Sequence, residues 1–123
     1  MHVNKTIFLV DDNEAICNAL SMLLEGHGYR VMTYQSAELY LEVVKDETEG
    51  VLLLDQRLIG MTGLELQAEL TRRSIVTPII FITGHLDNQI CAEAVKAGAI
   101  NCLFKPFSTD DLLESVTKAF SVA

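Results

Sequence analysis

Five residues whose types could do chemistry fall directly behind, or at the last position of, the chain's apolar runs. Asp11-Asp12 follow TIFLV, Asp55 follows VLLL, Thr83 ends PIIFIT, and Lys105 follows NCLF. Carboxylates gathered in one pocket repel, and at neutral pH they trap a proton or recruit a cation. A hard divalent ion, Mg2+, suits a small carboxylate cluster that leaves coordination places for waters and a phosphoryl group. An aspartate can then act as a nucleophile and form an acyl phosphate. That reaction needs a cation to neutralise the incoming charge and oriented donors for the phosphoryl oxygens. Mg2+, the Lys105 ammonium and the Thr83 hydroxyl supply those parts, and Asp55 is the candidate nucleophile.

The elements that position these groups follow from periodicity. The runs TIFLV (6–10), YRVMTY (29–34), VLLL (51–54), PIIFIT (78–83) and NCLF (101–104) have strand length. The first, third and fourth are apolar without alternation, which suits strands covered on both faces. Between them lie segments of helical period. Ile16, Leu20, Leu23 and Leu24 form one stripe, closed by Gly26 to Gly28. Ser36 caps a second helix carrying Ala37, Tyr40, Leu41 and Val44. A third runs from about Gly63 to Arg73 with Leu66 and Leu70 inward. A fourth follows Asp87 with Ile90, Ala94 and Ala97 inward, and a fifth starts at Ser108 to Asp111 and carries Leu112, Leu113, Val116 and Phe120. Five strands alternating with five helices give an α/β fold, a doubly wound parallel sheet with helices on both faces. Such sheets bind ligands at the carboxyl ends of their strands, where the five chemical residues sit.

Composition narrows the function. The chain has 123 residues, enough for one core. Its 17 acids against 9 bases, a formal net charge of −8, argue against nucleic acid or an anionic membrane as a partner of this chain alone. No glycine-rich loop follows the first run, so a nucleotide or flavin site is not expected there. No segment has the length of a spanning helix and the amino terminus is not a signal peptide, so a cytoplasmic location is expected. Cys17, Cys91 and Cys102 are odd in number and scattered, and read as reduced core thiols.

Taken as a spaced set, Asp11-Asp12, Asp55, Thr83-Gly84 and Lys105-Pro106-Phe107 resemble the receiver domains of bacterial two-component response regulators. The likeness runs from about Lys5 to Phe120. DQRLIGMTGLELQ, FITGH and KAGAINCLFKPF are most similar to the FixJ-type subgroup, whose members commonly carry a LuxR-type DNA-binding domain. The resemblance implies a flavodoxin-like sheet of order 2-1-3-4-5, one receiver domain over 1–123, and no output domain in this chain. It implies that Asp55 accepts a phosphoryl group from a sensor histidine kinase. Asp12, Asp55 and the backbone carbonyl of Arg57 are then Mg2+ ligands, with Asp11 acting through a bound water. Thr83 and Lys105 bind phosphoryl oxygens, and the Lys105-Pro106 bond is cis. Such a protein is not a turnover enzyme: it catalyses only its own phosphorylation and slow autodephosphorylation. Partners are the kinase, a second copy through the fourth-helix to fifth-helix face, and DNA only through an absent output domain.

Two positions depart from the family pattern. Ile59 stands where the subgroup usually has proline, which implies a looser loop. Cys102 occupies the switch position, three before the lysine, where an aromatic residue is usual. His85 and the Arg57 side chain are candidates for tuning access to the acyl phosphate, with ordinary exposed roles as the alternative. Two other functions compete: a receiver that serves as a phosphorylation-independent scaffold, and a dehalogenase-type phosphatase. The latter needs a second aspartate two places after the nucleophile, where this chain has Arg57.

Overall fold

The computed structural model describes residues 5–45, 49–84 and 88–122. His85 and Asp87, to which the sequence assigned a tuning role and a helix start, lie outside them. The strands are β1 (Thr6–Val10), β2 (Arg30–Tyr34), β3 (Val51–Asp55), β4 (Ile79–Thr83) and β5 (Asn101–Phe104). The helices are α1 (Glu14–Gly26), α2 (Ala37–Val43), α3 (Gly63–Arg72), α4 (Asn88–Lys96) and α5 (Thr109–Val122). All pairings are parallel, in the order β2-β1-β3-β4-β5, as expected. Among the described residues no helix is long and apolar enough to cross a membrane.

The sheet's residue pattern explains its layers. β3 and β4 are buried at every position, whereas β2 at one edge has no buried residue and β5 at the other has one, Leu103. Side chains alternate faces along each strand. Ile7, Leu9, Val51, Leu53, Ile80 and Ile82 pack with Leu20 and Leu24 of α1 and Leu112, Val116 and Ala119 of α5. Phe8, Val10, Leu52, Leu54, Ile79 and Phe81 pack with Ala37 and Tyr40 of α2, Leu66 and Leu70 of α3, and Ala94 of α4.

The helix starts are chemically specified. Asn13 accepts from the Ile16 N–H at 3.2 Å, so the amide, not either neighbouring aspartate, caps α1. Ser36 caps α2 as expected. Thr62 and Glu65 form a reciprocal capping box at α3. α4 is the exception in packing. Ala94 is its only buried residue; Ile90 is half-buried and Ala97 exposed, so two of its three expected inward residues are not core.

The cysteines correct the sequence reading. Cys17 is a free, buried thiol as expected, but Cys91 of α4 and Cys102 of β5 are joined as a disulfide, their Cα atoms 5.7 Å apart. The fold lays the first turns of α4 over β5, bringing together two thiols that the sequence separates by 11 positions.

Candidate functional site

Strand register lifts the chemical residues to one end of the sheet. Val10 pairs with Leu54, which sets Asp11 level with Asp55. Asp55 pairs with Ile82, and Thr83 with Phe104, so Thr83 and then Lys105 stand one step further along. Adjacent strands lie only about 4.8 Å apart, so residues on neighbouring strand ends are within reach of one another.

Three carboxylates converge there. Oxygens of Asp11, Asp12 and Asp55 lie within 4.8 Å of one another, with Asp11 and Asp55 buried and Asp12 on the exposed rim. Lys105 spans the buried pair, its Nζ 2.8 Å from Asp11 Oδ2 and 3.5 Å from Asp55 Oδ2. Asp11 also accepts from the Asn13 N–H at 2.9 Å, and Asp55 from the Arg57 N–H at 3.3 Å. Burial, then the negative charge of Asp11, pushes the Asp55 carboxyl up to about 6; Lys105 and the Arg57 N–H pull the other way without cancelling the rise. A carboxyl held up by burial and a like charge gains from a cation placed among these oxygens. The donor set, all oxygen and grouped at one end, therefore fits a hard divalent ion.

The walls are held by specific contacts. Gly63 packs under the loop after β3, where a Cβ would meet the Asp55 carbonyl oxygen at 2.6 Å. Gln56 closes that loop, accepting at its backbone oxygen from Gly63 N–H and at its side chain from Leu64 N–H. The apolar pair splits: Leu58 is buried in the core beside α2 and α3, while Ile59 is 83% exposed. Beyond it, Met61 N–H donates to Glu38 of α2 at 3.1 Å. With proline missing at Ile59, hydrogen bonds and the Leu58 anchor fix both ends of the loop.

Thr83 is buried at the end of β4, and its carbonyl accepts from Lys105 N–H at 2.7 Å. The Lys105-Pro106 peptide is cis, as the resemblance implied. Asp12, Thr83, the exposed Arg57 and Ile59 line an open cleft of about 490 Å³ over the cluster. Cys102 lies outside it, on β5 two residues before Phe104, the partner of Thr83. Cys17, whose Sγ donates to the Asp11 carbonyl at 3.3 Å, lies beside the site; burial, with Asp11 adding, pushes its thiol up. Asn13, Gln56, Gly63 and Glu38 are supporting residues that the sequence reading did not single out.

Residues 7–117 match the family model described as response regulator receiver domain. The response regulator protein TmoT of Ectopseudomonas mendocina is 40% identical over 99% of this chain and 57% of its own length. The transcriptional regulatory protein FixJ of Rhizobium meliloti (strain 1021) is 39% identical over 93% of this chain and 56% of its own length. Among solved structures, the amino-terminal part of FixJ superposes with a TM-score of 0.91 at 37% identity, covering 98% of this chain and 96% of that one. The response regulator StyR gives a TM-score of 0.91 at 41% identity, covering 96% of this chain and 60% of that one. The chain thus spans little more than half the length of the curated relatives it matches. Its match over nearly the whole sequence, with FixJ among its relatives, places it in the response regulator receiver domain family.

Proposed function

We propose that this chain is a phosphoacceptor switch of a two-component system, taking a phosphoryl group onto Asp55 from a phosphohistidine of a sensor kinase. The observation that carries the reading is the placement of Lys105 between two buried carboxylates at the sheet's carboxyl edge. Asp55 Oδ attacks phosphorus, the P–N bond breaks as the P–O bond forms, and its electron pair stays on the nitrogen, so a phosphohistidine protonated at its other ring nitrogen leaves as neutral imidazole. Hydrolysis by water returns the carboxylate and inorganic phosphate. Asp12, Asp55 and the backbone carbonyl of Arg57 would hold Mg2+, with Asp11 acting through a water, and the ion would supply positive charge to offset that of an incoming phosphoryl dianion.

The chain's own residues do the rest. Lys105, already 3.5 Å from Asp55, pairs with one phosphoryl oxygen, and the Thr83 hydroxyl donates to another. The new negative charge and acceptor oxygens bias the chain at Thr83 and the surface of α4, β5 and α5. No carboxylate stands at Arg57, so the acid/base group of a dehalogenase-type phosphatase is missing and turnover is not expected. The setting is cytoplasmic, with the sensor kinase as donor and a second copy docking through the α4–α5 face. The output is transcription, as the name of the FixJ relative states for that protein, through DNA contacts that this acidic chain does not itself make.

The test is incubation with acetyl phosphate and Mg2+, followed by intact-mass measurement. One phosphate adds to the native chain and none to Asp55→Asn. Uptake by the variant, or by neither protein, sinks the assignment.

A further inference from the structure

We propose that Cys91 and Cys102 form a reversible thiol–disulfide site that locks α4 onto β5. Resting on the phosphoacceptor reading, the lock decides whether phosphorylation of Asp55 can move α4.

The buried apolar anchor of α4 is small. Among its described residues α4 buries only Ala94, whereas α3 buries Gly63, Leu66, Gln67 and Leu70, and α5 buries Leu112, Ser115, Val116 and Ala119. One further tie is the buried Gln67 side chain, which donates to the Ala94 carbonyl at 2.9 Å. A helix with so small an apolar anchor opens at low free-energy cost. The Cys91–Cys102 bond adds a covalent attachment to that anchor. Its Cα separation of 5.7 Å lies within the range that disulfides span without backbone movement. Both cysteines are half-buried, so a small oxidant or dithiol can reach them.

The position couples the bond to the site. Cys102 pairs in register with Phe81, and two residues further Phe104 pairs with Thr83, whose carbonyl holds Lys105 N–H. Cys91 lies in the first turn of α4, eight positions after Thr83. The link thus joins the strand that ends at the lysine to the helix that follows the threonine.

Formation joins the two Sγ atoms and releases two protons and two electrons. The electrons pass to a small-molecule disulfide, which becomes two thiols; a dithiol reverses the step and is itself oxidised to a disulfide.

The experiment compares the purified chain equilibrated in oxidised glutathione with the same protein in dithiothreitol. Alkylation in denaturant is expected to label Cys17 alone in the first case and all three cysteines in the second. Amide exchange within α4 is expected to rise about tenfold or more on reduction, with α1 unchanged. Cys91→Ser/Cys102→Ser should match the reduced protein in both buffers, and Cys17→Ser should match the native chain. With acetyl phosphate and Mg2+ both forms should gain phosphate, and only the reduced form should change its α4 exchange further. Labelling of all three cysteines in oxidised glutathione, or α4 exchange indifferent to the bond, overturns the lock. An equal phosphate response in both forms overturns the gating. Absence of phosphate from both overturns the phosphoacceptor reading and the gating with it, while the exchange difference still reports the lock.

Discussion

Gly63 stands against the backbone of Asp55 so closely that any side chain would collide: a Cβ there would lie 2.6 Å from the Asp55 carbonyl oxygen and 3.0 Å from Gln56 Cα. Both obstacles are backbone, so neither can swing aside. Gly63→Ala is expected to cost about 1–3 kcal/mol in urea unfolding, the range for overpacking a well-filled interior. It should also slow phosphate uptake from acetyl phosphate, because the strain is relieved by moving Asp55. Unchanged stability and uptake would show that the loop after β3 yields freely.

Lys105→Met keeps the apolar stem and removes the ammonium from Asp11, which is 0% exposed. Asp11 would retain the Asn13 N–H as partner. Loss of a charged partner from a buried acceptor is expected to lower stability by about 1–3 kcal/mol, and Mg2+ should recover part of it. Thermal unfolding with and without Mg2+ checks both statements; a variant as stable as the native chain and indifferent to Mg2+ would contradict them.

The raised Asp55 carboxyl gives stability a pH dependence of known sign. Its ordinary value is 3.8 and its value in the fold about 6, so between these limits the native state binds more protons than the unfolded chain. Stability then falls as pH rises through that window, and the cost is complete above about pH 6. A rise of that size corresponds to at most about 3 kcal/mol. Glu69 runs the opposite way: Arg72 and Arg73 hold its carboxyl down to about 2, a contribution lost as pH falls. Comparing the native chain with Asp55→Asn isolates the first effect. The variant should be the more stable at pH 7 and lose most of that advantage by pH 4, and saturating Mg2+ should shrink it at pH 7. A pH-independent difference would remove Asp55 as the cause.

Glu38→Ala removes the carboxylate that accepts from Met61 N–H across 23 positions of sequence. The bond is exposed, so stability should change by less than about 1 kcal/mol. The Met61 amide should nevertheless exchange faster, and the loop beside Asp55 should loosen. If Met61 exchange is unaltered, Leu58 alone holds the loop.

β1, β3 and β4 and their chemical ends were legible because parallel strands buried on both faces write themselves as unbroken apolar runs, and each of these runs stops at a charged or hydroxyl residue. TIFLV and NCLF match β1 and β5 residue for residue, and VLLL is short of β3 only by Asp55 itself. α4 was read less well. Its period predicts three inward residues, yet a short helix over the sheet's edge finds room to bury one. The Cys91–Cys102 link was illegible for a related reason: no spacing rule relates a helix residue to the strand it crosses. Thr62 and Glu65, by contrast, carry the plain spacing of a capping box and could have been found. Leu58 turning inward while Ile59 turns outward depends on where the loop meets α2, which no local pattern encodes.

The buried pairing of Lys105 with Asp11 has a consequence in electroneutrality. One ammonium set among three carboxylates leaves two negative charges uncompensated when all are ionised. A divalent cation closes that deficit without excess. The acyl phosphate proposed for Asp55 would reopen it, since the dianion carries more charge than the carboxylate it replaces. Lys105, which pairs with both buried carboxylates, is the cation whose partners that change of charge would reach first.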